Sequence, residues 1–535
     1  MDSRQGVRLV IGMMAFGAAV FIGQTPRWVV KFVTVVQSSQ SAYAAETKAP
    51  ELTHDGKARL FTSAEVYAFL TAAKHAELTR DPLQRCLNYP DPPGSHWTPA
   101  AVHAYCRYRM QAFMPFADMQ TLLQNGKAVE LDKRMAVMLA AQQTRPDARG
   151  LLDRTFDLAF DGSFDKRPIL DAWKRDSPNS AFAYAASGLS YEKMAHAARG
   201  SAYSENTSAD KQQSMLRLLQ QADGDLQKAI ELNPKIIPAY VAMISVGGLL
   251  GYDQYVHVAI KRALAADPAN FSVYEAMLWD AQPKWGGSLH AMDAIGAAAK
   301  AHATENPLLT LLLEKRPAYE LLHDCDCHSA QELANYTVIF DQVSVAAQLS
   351  GAAYAAESSH HLELAVVYFS EALRFDPYLA DERLHRIAGL NNFDESQWAV
   401  DEATDLMRAS PGVAGPVQAR GYSYTMLNDY THAEKDMLAA LAMYPGDEQG
   451  LVRLEFLYVE QKKWGEAWST ANRFIEFYPN EAYGWVMRAN IQKLQPRAGL
   501  QQTVDYFSAH FDTPQNHLRL LELRAELALQ PPAFR

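Results

Sequence analysis

The stretch PGVAGPVQARGYSYTMLNDYTHAEKDMLAALAMYP, residues 411–445, decides the fold because it holds two amphipathic helical patterns between two prolines. These prolines are 34 residues apart, and an interval of 34 or 35 residues recurs along the chain. The recurring intervals run from Pro234 to Pro268, Pro377 to Pro411, Pro411 to Pro445, Pro445 to Pro479 and Pro479 to Pro514. Proline lacks the amide N–H that a helix needs, and its ring clashes with the preceding turn. Each of these prolines is therefore predicted to end a pair of helices.

Small and aromatic residues recur at fixed positions between the prolines. If the closing proline is counted as position 32, Gly421 is at position 8, Tyr424 at position 11 and Ala433 at position 20. The next unit repeats the tyrosine and the alanine as Tyr458 and Ala467. Small residues let two helices cross closely, and the tyrosine fills the gap beside them.

This period, with these residues inside it, resembles the tetratricopeptide-repeat proteins over residues 178–514. The resemblance implies an all-α fold, a right-handed superhelical α-solenoid of the tetratricopeptide-repeat type. One helix pair cannot cover its own apolar faces, so three or more pairs must stack. Segments such as CLNYPDPPGSHW are also similar to an uncharacterised bacterial family that carries these repeats, which adds no known activity.

The targeting segment, the start of the 34-residue period and its irregularities divide the chain into five predicted parts. They are a signal peptide or membrane anchor in residues 1–45, an irregular helical region in 46–177 that packs on and caps the array, repeats with an insertion in 178–306, degenerate repeats with a cysteine and histidine loop in 307–376, and a regular array with a C-terminal cap in 377–535. The insertion follows from the 56 residues between Pro178 and Pro234, which leave room for an enlarged loop or a lengthened helix.

The first 45 residues are typical of a targeting segment. Arg4 and Arg8 precede the uncharged run LVIGMMAFGAAVFIG at residues 9–23, and a small-residue cleavage site follows at residues 42–44. The run suits the apolar core of a signal peptide, although a retained anchor and a segment that packs on the protein are alternatives. We expect a periplasmic protein, or one anchored in the inner membrane and facing the periplasm.

The composition is that of a folded chain, with 48% hydrophobic and 21% charged residues. The formal net charge of −11 is spread along the sequence. A surface that follows a phosphate backbone needs clustered positive charge, so no nucleic-acid partner is expected.

The four cysteines form two local pairs, Cys86 with Cys106 and Cys325 with Cys327. In an oxidising compartment Cys86 and Cys106 could join as a disulfide that closes a proline-rich loop, while two reduced, partly buried thiols are the alternative. Cys325 and Cys327 lie in the cluster HDCDCHSA with histidines on both sides. This cluster could bind a metal, form a disulfide or be an ordinary loop, but its Cys-x-Cys spacing does not match structural zinc sites. We predict no metal and no cofactor.

Catalytic motifs are absent from the sequence. ASGLSYE contains Gly188 and Ser190 but lacks the second glycine of a nucleophile elbow, and Gly188 is better explained as a packing residue. We therefore expect a non-enzymatic adaptor of the bacterial envelope. The alternatives are a metal- or thiol-dependent envelope protein that uses Cys325, Cys327 and the neighbouring histidines, and a structural array that associates only with itself.

The expected partner is a protein or peptide that lies in the concave groove formed by the first helix of each pair. Positions 2, 5, 9 and 12 of each unit should point into this groove, where aromatic and amide side chains suit a peptide. The candidates are Gln418, Tyr422, Val452, Phe456, Tyr483 and Asn490.

Overall fold

A computed structural model of the protein describes residues 59–201, 206–322, 330–340, 343–495 and 498–529. All regular secondary structure in these residues is helical, which confirms the predicted all-α class. None of the helices in these ranges has the length and apolar character needed to cross a membrane. The apolar run at residues 9–23, the cleavage site and the Cys325 and Cys327 cluster lie outside the described residues.

The N-terminal region forms seven described α-helices before the repeats begin. They are α1 (Ser63–Glu77), α2 (Pro82–Asn88), α3 (Pro99–Met110), α4 (Phe116–Gln124), α5 (Ala128–Thr144), α6 (Leu151–Ala159) and α7 (Arg167–Asp176). Short 3-10 turns at residues 146–148 and 164–166 separate some of them.

The next helices include the repeats that the irregular spacing predicted. They are α8 (Ala181–Arg199), α9 (Ala209–Leu232), α10 (Ile237–Leu250), α11 (Asp253–Ala266), α12 (Phe271–Asp280), α13 (Leu289–Ala301), α14 (Lys315–Leu322) and α15 (Ala330–Ile339), with a 3-10 helix at Pro307–Glu314. The insertion lengthens both helices of one pair, since α8 has 19 residues and α9 has 24. By comparison, the pair in residues 414–443 has helices of 13 and 14 residues.

A regular series of antiparallel pairs follows and continues to the last helix. Its members are α16 (Ala346–Ser358), α17 (Leu362–Phe375), α18 (Ala380–Asn391), α19 (Ser396–Ala409), α20 (Ala414–Met426), α21 (Tyr430–Met443), α22 (Glu448–Glu460), α23 (Trp464–Phe477), α24 (Ala482–Leu494), α25 (Leu500–Phe511) and α26 (His517–Leu529). Each helix packs on the next, and the first helices α18, α20 and α22 also contact one another. The stacked pairs form the α-solenoid that the period predicted.

The repeating prolines end the second helix of each pair, as predicted. Pro411, Pro445 and Pro479 each stand two residues after the last residue of α19, α21 and α23. Between each second helix and its proline, one residue leaves the helical conformation, such as Ser410 after α19. The proline thus marks the turn into the next pair.

The turn inside each pair also repeats, in a way that the sequence analysis did not find. His360, Asp394, Asn428 and Lys462 have φ angles of 61°, 60°, 60° and 57°. They are 34 residues apart, and each stands two residues before a second helix. A left-handed residue at the end of a helix turns the chain so that a later N–H can bond back to the helix, as the N–H of Asp429 does to a carbonyl oxygen of α20 at 2.9 Å.

Small residues stand where the helices of a pair cross. A Cβ atom added to Gly421 would lie 3.1 Å from Cγ of Met437 and 3.2 Å from the carbonyl oxygen of Ala433, which is fully buried. A Cβ atom on Gly188 would come within 2.6 Å of Cγ of Leu226, on the partner helix α9. These contacts confirm that Gly188 and Gly421 are packing residues.

Helices α1 to α3 pack on the middle of the array, against α17, although they precede the first repeat in sequence. Cys86 of α2 and Cys106 of α3 are joined by a disulfide in this segment. The Nε atom of Arg374 donates to the carbonyl oxygen of Cys86 at 2.9 Å, and the indole N–H of Trp97 donates to the carbonyl oxygen of Phe340 at 3.0 Å. The segment therefore covers α17, where the sequence predicted only a region that packs on and caps the array.

Charged side chains pair at this contact because burial would otherwise leave them uncompensated. Arg386 of α18 is 4% exposed. Its Nη2 atom lies 2.6 Å from Oε1 of Glu402, and its Nη1 atom lies 3.1 Å from Oε1 of Glu77. Arg386 thus joins α1 to two helices of the array.

Candidate groove of the C-terminal repeats

The first helices of four successive pairs enclose a pocket of about 280 Å³. Helices α16, α18, α20 and α22 each contribute to its lining. We call this site the groove pocket, and its polar and aromatic lining consists of Glu357, His385, Asn391, Gln418, Tyr422 and Arg453. The pocket lies on the helices that the sequence predicted to line the groove.

Two of the six predicted residues line the groove pocket, and both are held by neighbouring side chains. The amide nitrogen of Gln418 donates to Oδ2 of Asp447 at 2.8 Å. The ring of Tyr422 lies 5.0 Å from the guanidinium carbon of Arg453, within cation–π range. The repeat that carries Gln418 and Tyr422 is therefore tied to the first helix of the next repeat.

The other four predicted residues lie on α22 and α24, outside the groove pocket. Val452 is partly buried against the core of its pair. Phe456 is 43% exposed and Tyr483 is 48% exposed, and the Tyr483 ring meets the edge of Phe474 at 6.0 Å. Asn490 is partly buried. Phe456 and Tyr483 thus keep accessible aromatic surface on α22 and α24.

The sequence analysis missed Glu357, His385, Asn391 and Arg453 of this lining. Arg453 was missed because it falls at position 6, between the positions considered. Burial lowers the pKa of Arg453, while Tyr422 and Asp447 act against this. An arginine side chain nevertheless stays protonated in proteins. Among the described residues Arg453 has no carboxylate partner in an ion pair. It supplies a positive charge and several N–H donors to the pocket.

His385, another side chain of the pocket lining, is paired with its neighbour Glu357. Nδ1 of His385 lies 2.7 Å from Oε2 of Glu357, and the hydrogen bond to Glu357 raises the pKa of His385. The imidazole also stacks on Phe369, with ring centroids 5.3 Å apart. His385 is therefore already paired with a carboxylate, whereas Arg453 has no ion-pair partner among the described residues.

Asn391 also lines the groove pocket, and its amide group is partly hydrogen-bonded. Its amide nitrogen donates to the carbonyl oxygen of Ile387 at 2.9 Å and to Oγ of Ser423 at 3.0 Å. Its Oδ1 atom is buried and has no hydrogen-bond partner among the described residues. Buried polar atoms in proteins are nearly always bonded, so this acceptor is an exception.

The part of the chain that the structure describes contains no group of three His, Cys, Asp or Glu side chains that could hold a metal ion. The cluster with Cys325 and Cys327 lies outside that part, so the metal- or thiol-dependent alternative stays a prediction.

Comparisons with known proteins give two kinds of similarity. A family model described as a domain of unknown function (DUF4034) matches residues 115–263. No curated protein matches the chain. Among solved structures, the chain is similar to the crystal structure of yeast Tom70, with 11% sequence identity and a TM-score of 0.31, over 77% of this chain and 94% of that chain. It is also similar to the tetratricopeptide-repeat domain of P58(IPK), with 11% identity and a TM-score of 0.21, over 58% of this chain and 94% of that chain.

The assignment of the repeats rests on the chain's own helices. The 34-residue period coincides with helix pairs that end at proline, turn at a left-handed residue and cross at small residues. On these grounds the chain is a tetratricopeptide-repeat-like protein.

Proposed function

We propose that the protein is a non-enzymatic adaptor that binds a segment of a partner protein in the groove pocket and along α22 and α24. The observation that carries this proposal is Arg453, a charged side chain without an ion-pair partner among the described residues, on the wall of a pocket that four helices share. A bound carboxylate would supply the missing partner. Hydrogen bonds to charged groups contribute about 1.5–3 kcal/mol, which is enough to select such a segment.

The surface beside the pocket suits the rest of a peptide. Phe456 and Tyr483 offer exposed aromatic rings. Aromatic and arginine side chains carry much of the energy of protein interfaces, and an extended or helical segment could use both. The proposed partner segment therefore has an acidic group flanked by apolar side chains.

The test compares proteins that are cross-linked to the full chain in native cells. The groove variant combines Tyr422→Glu with Phe456→Glu. The matched control combines Tyr378→Glu with Tyr444→Glu, since these tyrosines are 89% and 61% exposed, lie between helices and do not line the pocket. Circular dichroism establishes that both variants fold. We expect one protein that is recovered with wild type and control and lost with the groove variant, whereas recovery that the groove variant leaves unchanged would contradict the proposal.

We also propose that residues 1–45 direct export, so that the repeats act in the periplasm or at the inner membrane. The support is the apolar run of the sequence together with the disulfide between Cys86 and Cys106, since disulfides persist mainly in oxidising compartments. The test is cell fractionation with maleimide labelling of denatured protein, on a Cys325→Ser, Cys327→Ser variant. We expect an envelope fraction whose two remaining cysteines label only after reduction. A cytosolic protein that labels without reductant would contradict export.

A further inference from the structure

A second pocket, of about 320 Å³, lies in the N-terminal half of the described chain. Helices α3 and α6 of the N-terminal region form one side of it, and α8, α10, α12 and α14 form the other. Three aromatic side chains line it, Tyr108, Phe156 and Trp279, and we call it the aromatic pocket. Its volume is at the lower end of the range for small-ligand sites.

Carboxylates outnumber cations in the lining. Asp153, Asp157 and Glu275 line the pocket together with one ammonium group, that of Lys315. Lys315 already pairs with Glu275, with Nζ and Oε1 3.2 Å apart. Asp157 pairs with Lys193, with Nζ and Oδ1 2.8 Å apart. The remaining carboxylate is that of Asp153.

Asp153 is buried and has no cationic partner among the described residues. It is 6% exposed, and its two oxygens accept from the uncharged amides of Gln142 and Asn270, each at 2.8 Å. The Asn270 amide also donates to Oδ2 of Asp267 at 3.0 Å, so the nearest charge linked to Asp153 is another carboxylate. Burial raises the pKa of Asp153 to about 6. A buried charge is normally paired with one of opposite sign, and here that charge is missing.

The aromatic walls favour the same class of ligand. Aromatic faces attract cations, most strongly when water is excluded. The chain already uses this interaction at the edge of the pocket, where the guanidinium carbon of Arg154 lies 5.5 Å from the centroid of the Tyr108 ring. Trp279 lies between the ring of Trp285, at 4.7 Å, and the ring of His196, at 5.7 Å. The indole is thereby held in place at the pocket wall.

Glu275 and Asp157 already have lysine partners, so the carboxylate of Asp153 decides the sign of the ligand. An anion would be repelled by Asp153, and a neutral apolar ligand would leave it uncompensated. We propose that the aromatic pocket binds an organic cation, either a small free ammonium ion or the cationic side chain of a partner protein. The ligand places its positive charge near Asp153 and Glu275 and its alkyl groups against Trp279 and Phe156. This site is independent of the groove pocket, because the two are lined by different helices.

The experiment is isothermal titration calorimetry on the full chain with matched probes. Choline and its neutral isostere 3,3-dimethyl-1-butanol test the small ammonium ion, and the peptides acetyl-Ala-Arg-Ala-amide and acetyl-Ala-Gln-Ala-amide test the side chain. We expect the cationic member of at least one pair to bind at least tenfold more tightly than its neutral partner. The pair that shows the difference identifies the source of the cation. Equal affinities within both pairs, or no binding of either cation, would overturn the proposal.

Two variants test whether the cation binds in the aromatic pocket. Glu275→Gln removes one carboxylate and leaves the Lys315 ammonium facing the ligand. Because the Glu275 side chain is 45% exposed, we expect the fold to tolerate this substitution. Asp153→Asn removes the uncompensated charge. Each should weaken the cation about tenfold or more, while the control Glu231→Gln, at a side chain that is 69% exposed on α9, should leave affinity unchanged. If Asp153→Asn does not fold, Glu275→Gln decides alone: unchanged affinity in that variant contradicts the site.

Discussion

The guanidinium carbon of Arg453 lies 5.0 Å from the centroid of the Tyr422 ring, and these residues belong to the first helices of successive repeats. The contact holds a cation at the boundary of two repeats, facing a shared pocket. Because the boundary recurs with the period, each repeat presents its first helix next to that of its neighbour. Binding in such an array depends on side chains from several repeats at once.

The crossing of α20 and α21 should not tolerate a larger side chain. Ala433→Leu is expected to lower the free energy of unfolding by about 1–3 kcal/mol, because Ala433 is fully buried beside Gly421 and the added atoms have no room. Urea unfolding monitored by circular dichroism measures the change. The control is Ala442→Leu on the exposed side of α21, where a change of similar size would show that overpacking is not the cause.

The left-handed turn residues should accept glycine. A non-glycine residue in this conformation costs roughly 1–2 kcal/mol, and glycine removes that cost at the expense of backbone entropy. Lys462→Gly, at φ 57°, should therefore raise the free energy of unfolding by about 0.5–1 kcal/mol. Asn428→Gly should give a smaller gain, since asparagine tolerates this conformation better than lysine. A loss of stability in Lys462→Gly would contradict the assigned turn.

The buried arginine that joins α1, α18 and α19 should be essential for stability. Arg386→Ala leaves Glu402 with Arg383 alone and Glu77 with Arg85 alone, each at 3.3 Å. Breaking a buried ion pair costs about 3–5 kcal/mol when the remaining charge has no partner, so we expect a loss at or below the lower end of that range. Thermal and urea unfolding of the full chain measure it. Arg408→Ala is the control, because that side chain is 74% exposed and pairs only at the surface. Equal effects of the two changes would contradict the role of Arg386.

Stability should depend on pH through Glu455 of α22. Burial raises the pKa of Glu455 to about 7, from an ordinary value of 4.5. Between pH 4.5 and pH 7 the Glu455 carboxyl is therefore protonated in the folded state and ionised in the unfolded state. Its contribution to the free energy of unfolding falls as the pH rises through this range, by up to about 3 kcal/mol. Glu455→Gln should lose less stability than wild type between pH 5 and pH 8, as measured by urea unfolding at each pH. Parallel pH profiles for the two proteins would contradict the shifted pKa.

The repeated features of this fold that could be predicted from the sequence are those marked by one residue type at one position. Proline, glycine and alanine recur at one spacing because each has a local steric role at the end or the crossing of helices. The left-handed turn escaped notice because His360, Asp394, Asn428 and Lys462 share a backbone angle but no side-chain chemistry.

The long-range contacts could not be predicted from the sequence either. The packing of α1 to α3 on α17 joins segments that are nearly 300 residues apart, such as Arg374 and the carbonyl of Cys86. The aromatic pocket has the same origin, because Tyr108 and Trp279 meet only through the fold. Gln418 and Tyr422 could be predicted for the groove pocket because they follow the period, whereas Arg453 could not.

The most direct measurement is the affinity of a peptide that is selected on the full chain from a random library, determined by fluorescence anisotropy. The control is Arg408→Glu, an exposed arginine on a second helix. We predict that selected peptides carry an acidic residue, and that Arg453→Glu raises their Kd at least tenfold while Arg408→Glu leaves it within twofold. Peptides without an acidic residue, or equal affinity for wild type and Arg453→Glu, would contradict binding in the groove pocket.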